Sequence, residues 1–301
     1  MMPKVLVICG PTASGKTSLS VACAKMLQTE IVSADSLLVY KGLDIGTAKP
    51  TIEERRGITH HALDIVSPFE NFSVSDYEKY ALPIIGRLLC EGKTPIICGG
   101  TGFYINALLY KSQFGNAGAD ATVRKKYEDL YQKHGSRYLH DLLREKDPES
   151  AEKLHENDTK RVIRALEIFE VTGKPKSEQH DELTPRFDFK AVSVDFPREE
   201  LYERINLRVE EMFANGLLAE VQSLLDAGVS LTAQCMQGIG YKEVVEGLQN
   251  GVCVDEIKEL IKKNTRNYAK RQITFFKRMQ NHTYLTPTQA TAEKVLQLLE
   301  D

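Results

Sequence analysis

A glycine-rich segment near the start of the chain has the residue types and spacing to bind a phosphate chain. It fits the pattern G-x-x-x-x-G-K-[ST] and directly follows the apolar run from Val5 to Cys9. Glycines let successive backbone N–H groups turn towards phosphate oxygens, Lys16 adds a positive charge, and the Thr17 hydroxyl can bind Mg²⁺. The segment therefore predicts a site for a di- or triphosphate, formed by Gly10, Pro11, Thr12, Ala13, Ser14, Gly15, Lys16 and Thr17.

Two more polar segments follow β-type runs and are expected at the same place. The run from Glu30 to Ser33 leads into Asp35, and the run from Thr94 to Cys98 leads into a glycine turn that contains Thr101. Ligands bind at the carboxyl ends of strands in open parallel sheets, so both side chains are expected beside the phosphate-binding loop. Asp35 could take part in chemistry there, or it could only cap a helix.

The elements that must position these residues alternate between strands and helices. This alternation predicts an α/β fold whose core is a doubly wound parallel sheet, similar to that of P-loop NTPases. From Asp120 to about Thr184 the alternation of strands and helices gives way to helical patterns rich in charged residues. The next strand pattern runs from Lys190 to Phe196. We therefore predict a P-loop α/β core of residues 1–112 and 188–301 with an inserted all-helical domain of residues 113–187.

Charge is distributed unevenly along the chain. The net charge of the 301 residues is −3, so any contact with nucleic acid must come from a local patch. The segment from Ile261 to Arg278 is such a candidate, because it carries seven basic residues and no acidic one. A basic run of this kind is often only a solvated helix face, but the absence of acids also favours contact with phosphates.

Cysteine spacing and hydropathy also indicate the cellular compartment. The six cysteines form no C-x-x-C pair, which is typical of thiols in a reducing compartment rather than of a disulfide framework. The apolar run at the N-terminus is too short for a signal peptide, and no later run reaches membrane-span length. We therefore expect a cytoplasmic protein without membrane contact, and nothing in the sequence indicates an obligate interface, so we expect a monomer.

A phosphate-binding loop alone leaves several functions open. The GTPase motif N-K-x-D is not found, and no run of four apolar residues ends in Asp-Glu, as an ATP-driven motor would need. A small-molecule or nucleotide kinase fits the spacing, because such enzymes also combine a strand-end Asp with a helical insertion. An RNA-binding module with a vestigial loop is a third possibility, but the intact Lys16, Thr17, Asp35 and Thr101 argue against it.

Five motifs, in order and spacing, resemble those of the tRNA dimethylallyltransferases, also called tRNA isopentenyltransferases. The resemblance covers nearly the entire chain and is to the bacterial members, because the zinc-finger extension of the eukaryotic members is not found. The motifs are I-V-S-A-D-S-x-x-V-Y-K-G-L-D-I-G-T-A-K-P (Ile31 to Pro50), G-G-T-G-F-Y-I-N-A-L (Gly99 to Leu108), R-A-L-E (Arg164 to Glu167), G-I-G-Y-K-E (Gly238 to Glu243) and A-K-R-Q-I-T-F-F-K-R (Ala269 to Arg278).

This resemblance implies a prenyl transfer. A dimethylallyl group would move from dimethylallyl diphosphate to the exocyclic amine of the adenine just 3′ of the tRNA anticodon, with release of diphosphate. The phosphate-binding loop would then hold the leaving group, with Mg²⁺ on Thr17. The resemblance implies Asp35 as general base, Thr101 as an orienting hydroxyl, and Arg208 as a contact of the diphosphate. Arg208 could instead be a solvated helix arginine.

The resemblance also implies where the anticodon stem-loop of tRNA would bind. The target base must leave the loop stack to reach the site, and the helical insertion would grip the stem. The implied RNA contacts are Asp35, Ser36, Leu37, Leu38, Thr101, Arg124, Lys160, Arg161, Val162, Ile163, Arg164, Gln237, Gly238, Ile239, Gly240, Tyr241 and Lys242.

Overall fold

The computed structural model describes residues 4–111, 120–179 and 184–300. In these residues six strands form one sheet in the order β3-β2-β4-β1-β5-β6, and all neighbouring strands are parallel. This confirms the predicted parallel α/β core. The strands are β1 (Lys4–Cys9), β2 (Ile31–Ser33), β3 (His60–His61), β4 (Ile96–Gly99), β5 (Asp188–Val194) and β6 (His282–Leu285).

Twelve α-helices lie in the part of the chain that the structure describes. Short 3₁₀ turns are also present at Lys176–Glu178 and Cys235–Gln237. The helices are α1 (Lys16–Leu27), α2 (Ile52–Arg55), α3 (Val74–Cys90), α4 (Gly102–Leu109), α5 (Ala121–Lys146), α6 (Pro148–Lys153), α7 (Thr159–Thr172), α8 (Arg198–Ala214), α9 (Leu217–Asp226), α10 (Tyr241–Asn250), α11 (Val254–Phe276) and α12 (Ala292–Glu300).

The chain forms two compact units. One comprises residues 1–109 and 186–301, and the other comprises residues 110–185. The sequence analysis placed the corresponding boundaries after residues 112 and 187. Parts of both predicted domains, namely residues 1–3, 112–119, 180–183 and 301, lie outside the described residues.

Strand β1 is at the centre of the sheet and positions the phosphate-binding loop. Its residues from Val5 to Cys9 are fully buried, which explains why the strand is a continuous apolar run. It pairs with β4 on one side and β5 on the other, so that Ile8 lies opposite both Cys98 and Val192. Because the strands are parallel, the carboxyl ends of β1, β2 and β4 reach the same edge of the sheet.

The second unit has a small core of its own between α5, α6 and α7. The apolar residues at helical spacing in this segment predict such a core, and four of them, Leu139, Leu143, Val162 and Leu166, are fully buried in it. Leu130, Leu142 and Leu154 of the same pattern are partly buried against it. The described part of this unit contains helices and no named strand, as predicted. Helix α5 is interrupted at Gly135, whose φ of 83° is in the left-handed region that glycine tolerates.

Local features differ from the sequence prediction at two helix positions. The residues Ser75-Asp76-Tyr77-Glu78 predict a capping box at Ser75, and this prediction is wrong. Helix α3 begins at Val74 and is capped by Ser73 with Asp76, because Ser73 Oγ accepts the Asp76 N–H at 3.2 Å. In α11 the helical spacing of Ile257, Ile261 and Phe275 predicts a core face, but the fully buried phenylalanine is Phe276, and Phe275 is only partly buried. The sequence contains two overlapping S-x-x-[DE] patterns and two adjacent phenylalanines, so it does not determine which serine caps the helix or which phenylalanine is buried.

None of the helices in the described ranges is both long and apolar enough to cross a bilayer.

Candidate active site

The phosphate-binding loop connects β1 to α1 and leaves the N-terminus of α1 open to a ligand. Gly10 and Gly15 have φ angles of 130° and 77°, so the loop depends on glycine at both positions. Among the described residues no side chain caps α1, and its first turn contains no acidic residue. The free N–H groups and the positive end of the helix dipole therefore favour an anion here.

Lys16 follows this loop and is partly buried in the wall of a cavity. Its Nζ donates to the carbonyl oxygen of Pro11, and Ser14 Oγ donates to the same oxygen at 2.8 Å. Burial lowers the pKa of Lys16 to about 8, and the positive charge of Arg208 contributes to this shift. A bound phosphate chain would restore a partner for the lysine charge.

We predict that this lysine makes diphosphate binding depend on pH. Above a pKa of about 8 the free protein loses the Lys16 charge, so affinity for inorganic diphosphate should fall as pH rises, by at most about tenfold per pH unit. Calorimetric titration from about pH 7 to about pH 9.5 tests this. Lys16→Met gives the baseline, since the ligand's own titration affects both proteins equally. Parallel curves for the two proteins would contradict the assignment.

Asp35 and Thr101 are brought together at the ends of β2 and β4. Thr101 N–H donates to Ala34 O at 3.0 Å, and Thr101 Oγ1 accepts the Ser36 N–H at 3.1 Å. The backbones approach so closely that a Cβ at Gly99 would lie 2.1 Å from Ala34 O. Asp35 Oδ1 accepts the Leu37 N–H at 2.9 Å, which makes it a local turn cap and leaves Oδ2 for other chemistry.

Arg208 points from α8 into the site rather than into solvent. Its two terminal nitrogens lie 3.3 Å from Thr12 Oγ1 and 3.4 Å from Thr47 O, within hydrogen-bond distance. Burial lowers the pKa of Arg208, while the Asp35 carboxylate acts in the opposite direction. The alternative of a solvated helix arginine is therefore wrong.

Two cavities of the first unit meet at these residues. The phosphate cavity, of about 460 Å³, includes Lys16 and Thr17 in its wall, and the second cavity, of about 350 Å³, extends towards the loop before α10. Lys16, Arg204 and Arg208 line the first cavity. Apolar groups such as Val209 and Met212 line much of the second, together with Arg208 and Arg271. The residues that line both are Thr12, Asp35, Thr47, Arg208 and Tyr268.

A family model described as IPP transferase matches residues 38–279. The chain belongs to the IPP transferase family. A tRNA dimethylallyltransferase of Acetivibrio thermocellus is 45% identical to it over 99% of this chain and 97% of that protein. A tRNA dimethylallyltransferase of a Thermoanaerobacter species is 47% identical over 92% of this chain and 90% of that protein. The resemblance found in the motifs is thereby confirmed.

Solved structures of relatives have the same fold as this IPP transferase family member. A full-length tRNA isopentenylpyrophosphate transferase from Bacillus halodurans superposes with a TM-score of 0.73 at 39% identity, covering 99% of this chain and 95% of that one. A eukaryotic dimethylallyltransferase acting on tRNA superposes with a TM-score of 0.80 at 31% identity, covering 96% and 74%. The P-loop NTPase-like fold expected from the sequence is confirmed.

Many of the implied RNA contacts of this family member surround the cavities. Ser36, Leu37 and the segment from Gln237 to Gly240 line the second cavity, and Leu38 lines the phosphate cavity. A Cβ at Gly238 would lie 2.4 Å from the Leu37 side chain, so a larger residue at this position would displace Leu37. Lys242 is exposed on α10, with its Nζ 3.6 Å from a carboxylate oxygen of Glu246.

Three of the implied contacts have buried side chains, which cannot meet an RNA in this structure. Val162 is fully buried and Ile163 is 8% exposed in the core of the second unit. Tyr241 is fully buried, and its hydroxyl donates to Glu220 Oε1 at 2.6 Å. The family motifs locate these residues but do not show which way each side chain points.

The remaining implied contacts lie on the surface of the second unit. Lys160 and Arg161 are exposed, and Arg161 pairs with Asp158 at 2.6 Å. Arg124 and Arg164 both contact the fully buried Glu167, each at 2.8 Å. Glu167 therefore holds both arginines, and the two arginine side chains stay partly exposed.

Glu220 was not found by the sequence analysis, although it fixes the loop over the cavities. Its carboxylate accepts the N–H groups of Asp44, Ile45 and Gly46 at 2.7–3.0 Å, in addition to the Tyr241 hydroxyl. A Cβ at Gly46 would lie 2.6 Å from the Tyr241 ring. Glu220 is 174–176 positions from the three loop residues in the sequence, so no local pattern could have indicated these contacts.

We predict that Glu220→Gln lowers the free energy of unfolding by about 1–3 kcal/mol, because the amide NH₂ would face backbone N–H donors. Tyr241→Phe removes only one of the four donors and should cost less. Urea denaturation of the two variants measures both effects. An equal or larger loss for Tyr241→Phe would show that the tyrosine, not the carboxylate, holds the loop.

Gln272 is a second residue of this kind. It is buried on α11, its Oε1 accepts the Thr12 N–H at 2.9 Å, and its Nε2 donates to Gly100 O at 2.9 Å. It thus joins the phosphate-binding loop to the turn that contains Thr101. Its position within the fifth family motif is the signal that could have identified it.

The basic run on α11 is divided between two roles. Lys262 pairs with Glu210 of α8 and with Glu259, so this end of the run is a solvated ion-paired face. Towards the C-terminal end, Lys270, Arg271, Lys277 and Arg278 are exposed, and no described carboxylate lies within 4.0 Å of them. These four side chains are free to meet phosphates, and so is the exposed Lys263, with which no described carboxylate pairs.

Proposed function

We propose that this protein transfers a dimethylallyl group from dimethylallyl diphosphate to the exocyclic amine of the adenine 3′ of the anticodon in tRNA. One observation carries the proposal: the Asp35 carboxylate lies where a cationic phosphate cavity meets a more apolar cavity bordered by implied RNA contacts. The names of the relatives, tRNA dimethylallyltransferases, support the same reaction.

The phosphate cavity suits the leaving group. Negative charge develops on the diphosphate as the carbon–oxygen bond breaks, and the N-terminus of α1, Lys16 and Arg208 all direct positive charge at this position. Groups that are fixed before the reaction stabilise such charge without reorganising. The diphosphate leaves with both electrons of the broken bond.

The residues around the cavity fit a magnesium ion that is held mainly by the substrate. The described residues contain no cluster of three His, Cys, Asp or Glu side chains that could form a protein cage. Thr17, which is exposed on the cavity wall, would hold the ion through its hydroxyl, and the oxygens of the diphosphate would bind it from the substrate side. When bound, Mg²⁺ neutralises part of the charge of the diphosphate.

The second cavity would receive the target adenine after the base leaves the loop stack. The exocyclic amine is a poor nucleophile because its lone pair is delocalised into the ring. Asp35, which lines both cavities, would accept a proton from this amine as the new carbon–nitrogen bond forms. Thr101 lines neither cavity, but its hydroxyl accepts the Ser36 N–H next to Asp35 and would help to orient the amine. In the second unit, Lys160, Arg161, Arg124 and Arg164 would contact the anticodon stem.

The decisive experiment measures transfer of labelled dimethylallyl from its diphosphate to bulk tRNA, with Mg²⁺ and without ATP. We expect label in the RNA and one diphosphate released for each group transferred. Unlabelled RNA together with ATP turnover would instead favour a small-molecule or nucleotide kinase.

A further inference from the structure

One large aromatic side chain beside the site is exposed and has no role in the mechanism above. Phe103 is in the first turn of α4, two residues after Thr101, and 65% of it is exposed. It lines neither of the two cavities that meet at Asp35. A single exposed aromatic residue is common on protein surfaces, so exposure alone indicates nothing.

The ring of Phe103 is nevertheless held in place. It packs edge-to-face against Phe275 of α11, with a centroid distance of 5.8 Å. Phe275 in turn fills the space that a side chain at position 102 would need, because a Cβ on Gly102 would lie 2.2 Å from the Phe275 ring. Two motifs of the chain thus cooperate to present one open aromatic face.

Aromatic and cationic side chains alternate from the cavities towards Phe103. Tyr268, Arg271 and Phe275 are three and four residues apart on α11 and so share a helix face. Tyr268 lines both cavities, and the Arg271 guanidinium lies 5.6 Å from its ring. Arg271 is exposed, and no carboxylate in the described ranges pairs with it.

We propose that Phe103 stacks on an unpaired RNA base next to the target adenine, an inference that rests on the proposed function. Proteins bind single-stranded nucleic acid by combining aromatic faces for the bases with cations for the phosphates. Removal of the adenine from the loop stack leaves its neighbours with an open face, and Phe103 offers a fixed ring just outside the cavity. The unpaired cation of Arg271 makes an RNA a better match than an apolar protein segment.

A fluorescent variant tests the contact directly, because the chain contains no tryptophan. Phe103→Trp creates a single reporter at the proposed site. We expect a synthetic anticodon stem-loop to quench its emission, with saturation at the RNA concentration that saturates binding. Removing the flanking bases one at a time should identify one abasic stem-loop that binds without quenching.

Met26→Trp is the matched control. Met26 is 48% exposed near the end of α1, about 15 Å along the helix from Lys16, so its reporter should not respond to RNA. Equal quenching in both variants, or an unquenched Phe103→Trp that still binds the stem-loop, would overturn the proposal.

RNA affinity and steady-state kinetics of further Phe103 variants give a second test. Phe103→Ala should weaken stem-loop binding roughly 5- to 50-fold, as loss of one stacked base does. Phe103→Tyr should behave like the unchanged protein, and the KM for dimethylallyl diphosphate should stay the same in both. If Phe103→Ala still transferred the dimethylallyl group and bound RNA with unchanged affinity, the proposed contact would be refuted. If the unchanged protein itself transferred nothing, the proposed function would be at fault instead.

Discussion

Replacing Asp35 by asparagine is expected to lower the rate of prenyl transfer by about 10²- to 10⁴-fold, the usual contribution of a positioned general base. The asparagine carbonyl can still accept the Leu37 N–H, so the turn after β2 stays intact. The amide cannot accept the proton that the adenine amine loses. The substitution therefore separates the chemical role of Asp35 from its capping role.

Single-turnover rates with saturating donor and tRNA measure this effect, and filter binding measures the tRNA affinity, which should change only a few-fold. Asp35→Ala should also nearly abolish transfer. Asp76→Asn serves as a control, because Asp76 accepts a backbone N–H at the start of α3 in a similar way. A fully active Asp35→Asn protein would remove Asp35 as the base and leave it as a cap.

The second large effect is expected for Lys16→Met, which should lower kcat/KM for dimethylallyl diphosphate by about 10²- to 10³-fold. Methionine occupies a similar volume but supplies no charge where the leaving group accumulates it. The lysine is held against the loop by its hydrogen bond to the Pro11 carbonyl oxygen, so its charge has a fixed position in the cavity wall. Steady-state kinetics with varied donor concentration test this prediction.

Lys25→Met is the control for that experiment, since Lys25 is exposed in the last turn of the same helix α1. We expect its kinetics to be unchanged. If Lys16→Met altered the KM for tRNA but not the kinetics of the donor, the loop would have to be reassigned from the diphosphate to the RNA.

The sequence predicted the elements whose signals are local. A buried apolar run followed by glycines and Gly15-Lys16-Thr17 allows few structures other than a central strand, a phosphate-binding loop and a helix. The 3.6-residue period identified the core positions Leu139, Leu143 and Leu166 of the second unit. The strand-end rule for parallel sheets predicted the meeting of Asp35 and Thr101, because it depends on chain direction rather than on distant contacts.

The errors arose where a motif gave the position of a residue but not its environment. Tyr241 and Val162 lie within segments implied to contact RNA, yet both side chains are fully buried. On a helix, neighbouring residues point about 100° apart, so a contact segment necessarily contains buried members. The shift from Ser75 to Ser73 at the start of α3 has a similar cause, since two equivalent caps overlap.

The sequence by itself determined the order of the motifs, and with it the family, the parallel core and the chemical groups of the site. Only the tertiary structure decided how those groups are held. Glu220 fastens the loop around Gly46, Gln272 joins the two glycine turns, and the cavities meet at Asp35. These contacts join residues that are more than 150 positions apart. Their geometry depends on how whole elements pack, and no short pattern of residues encodes that.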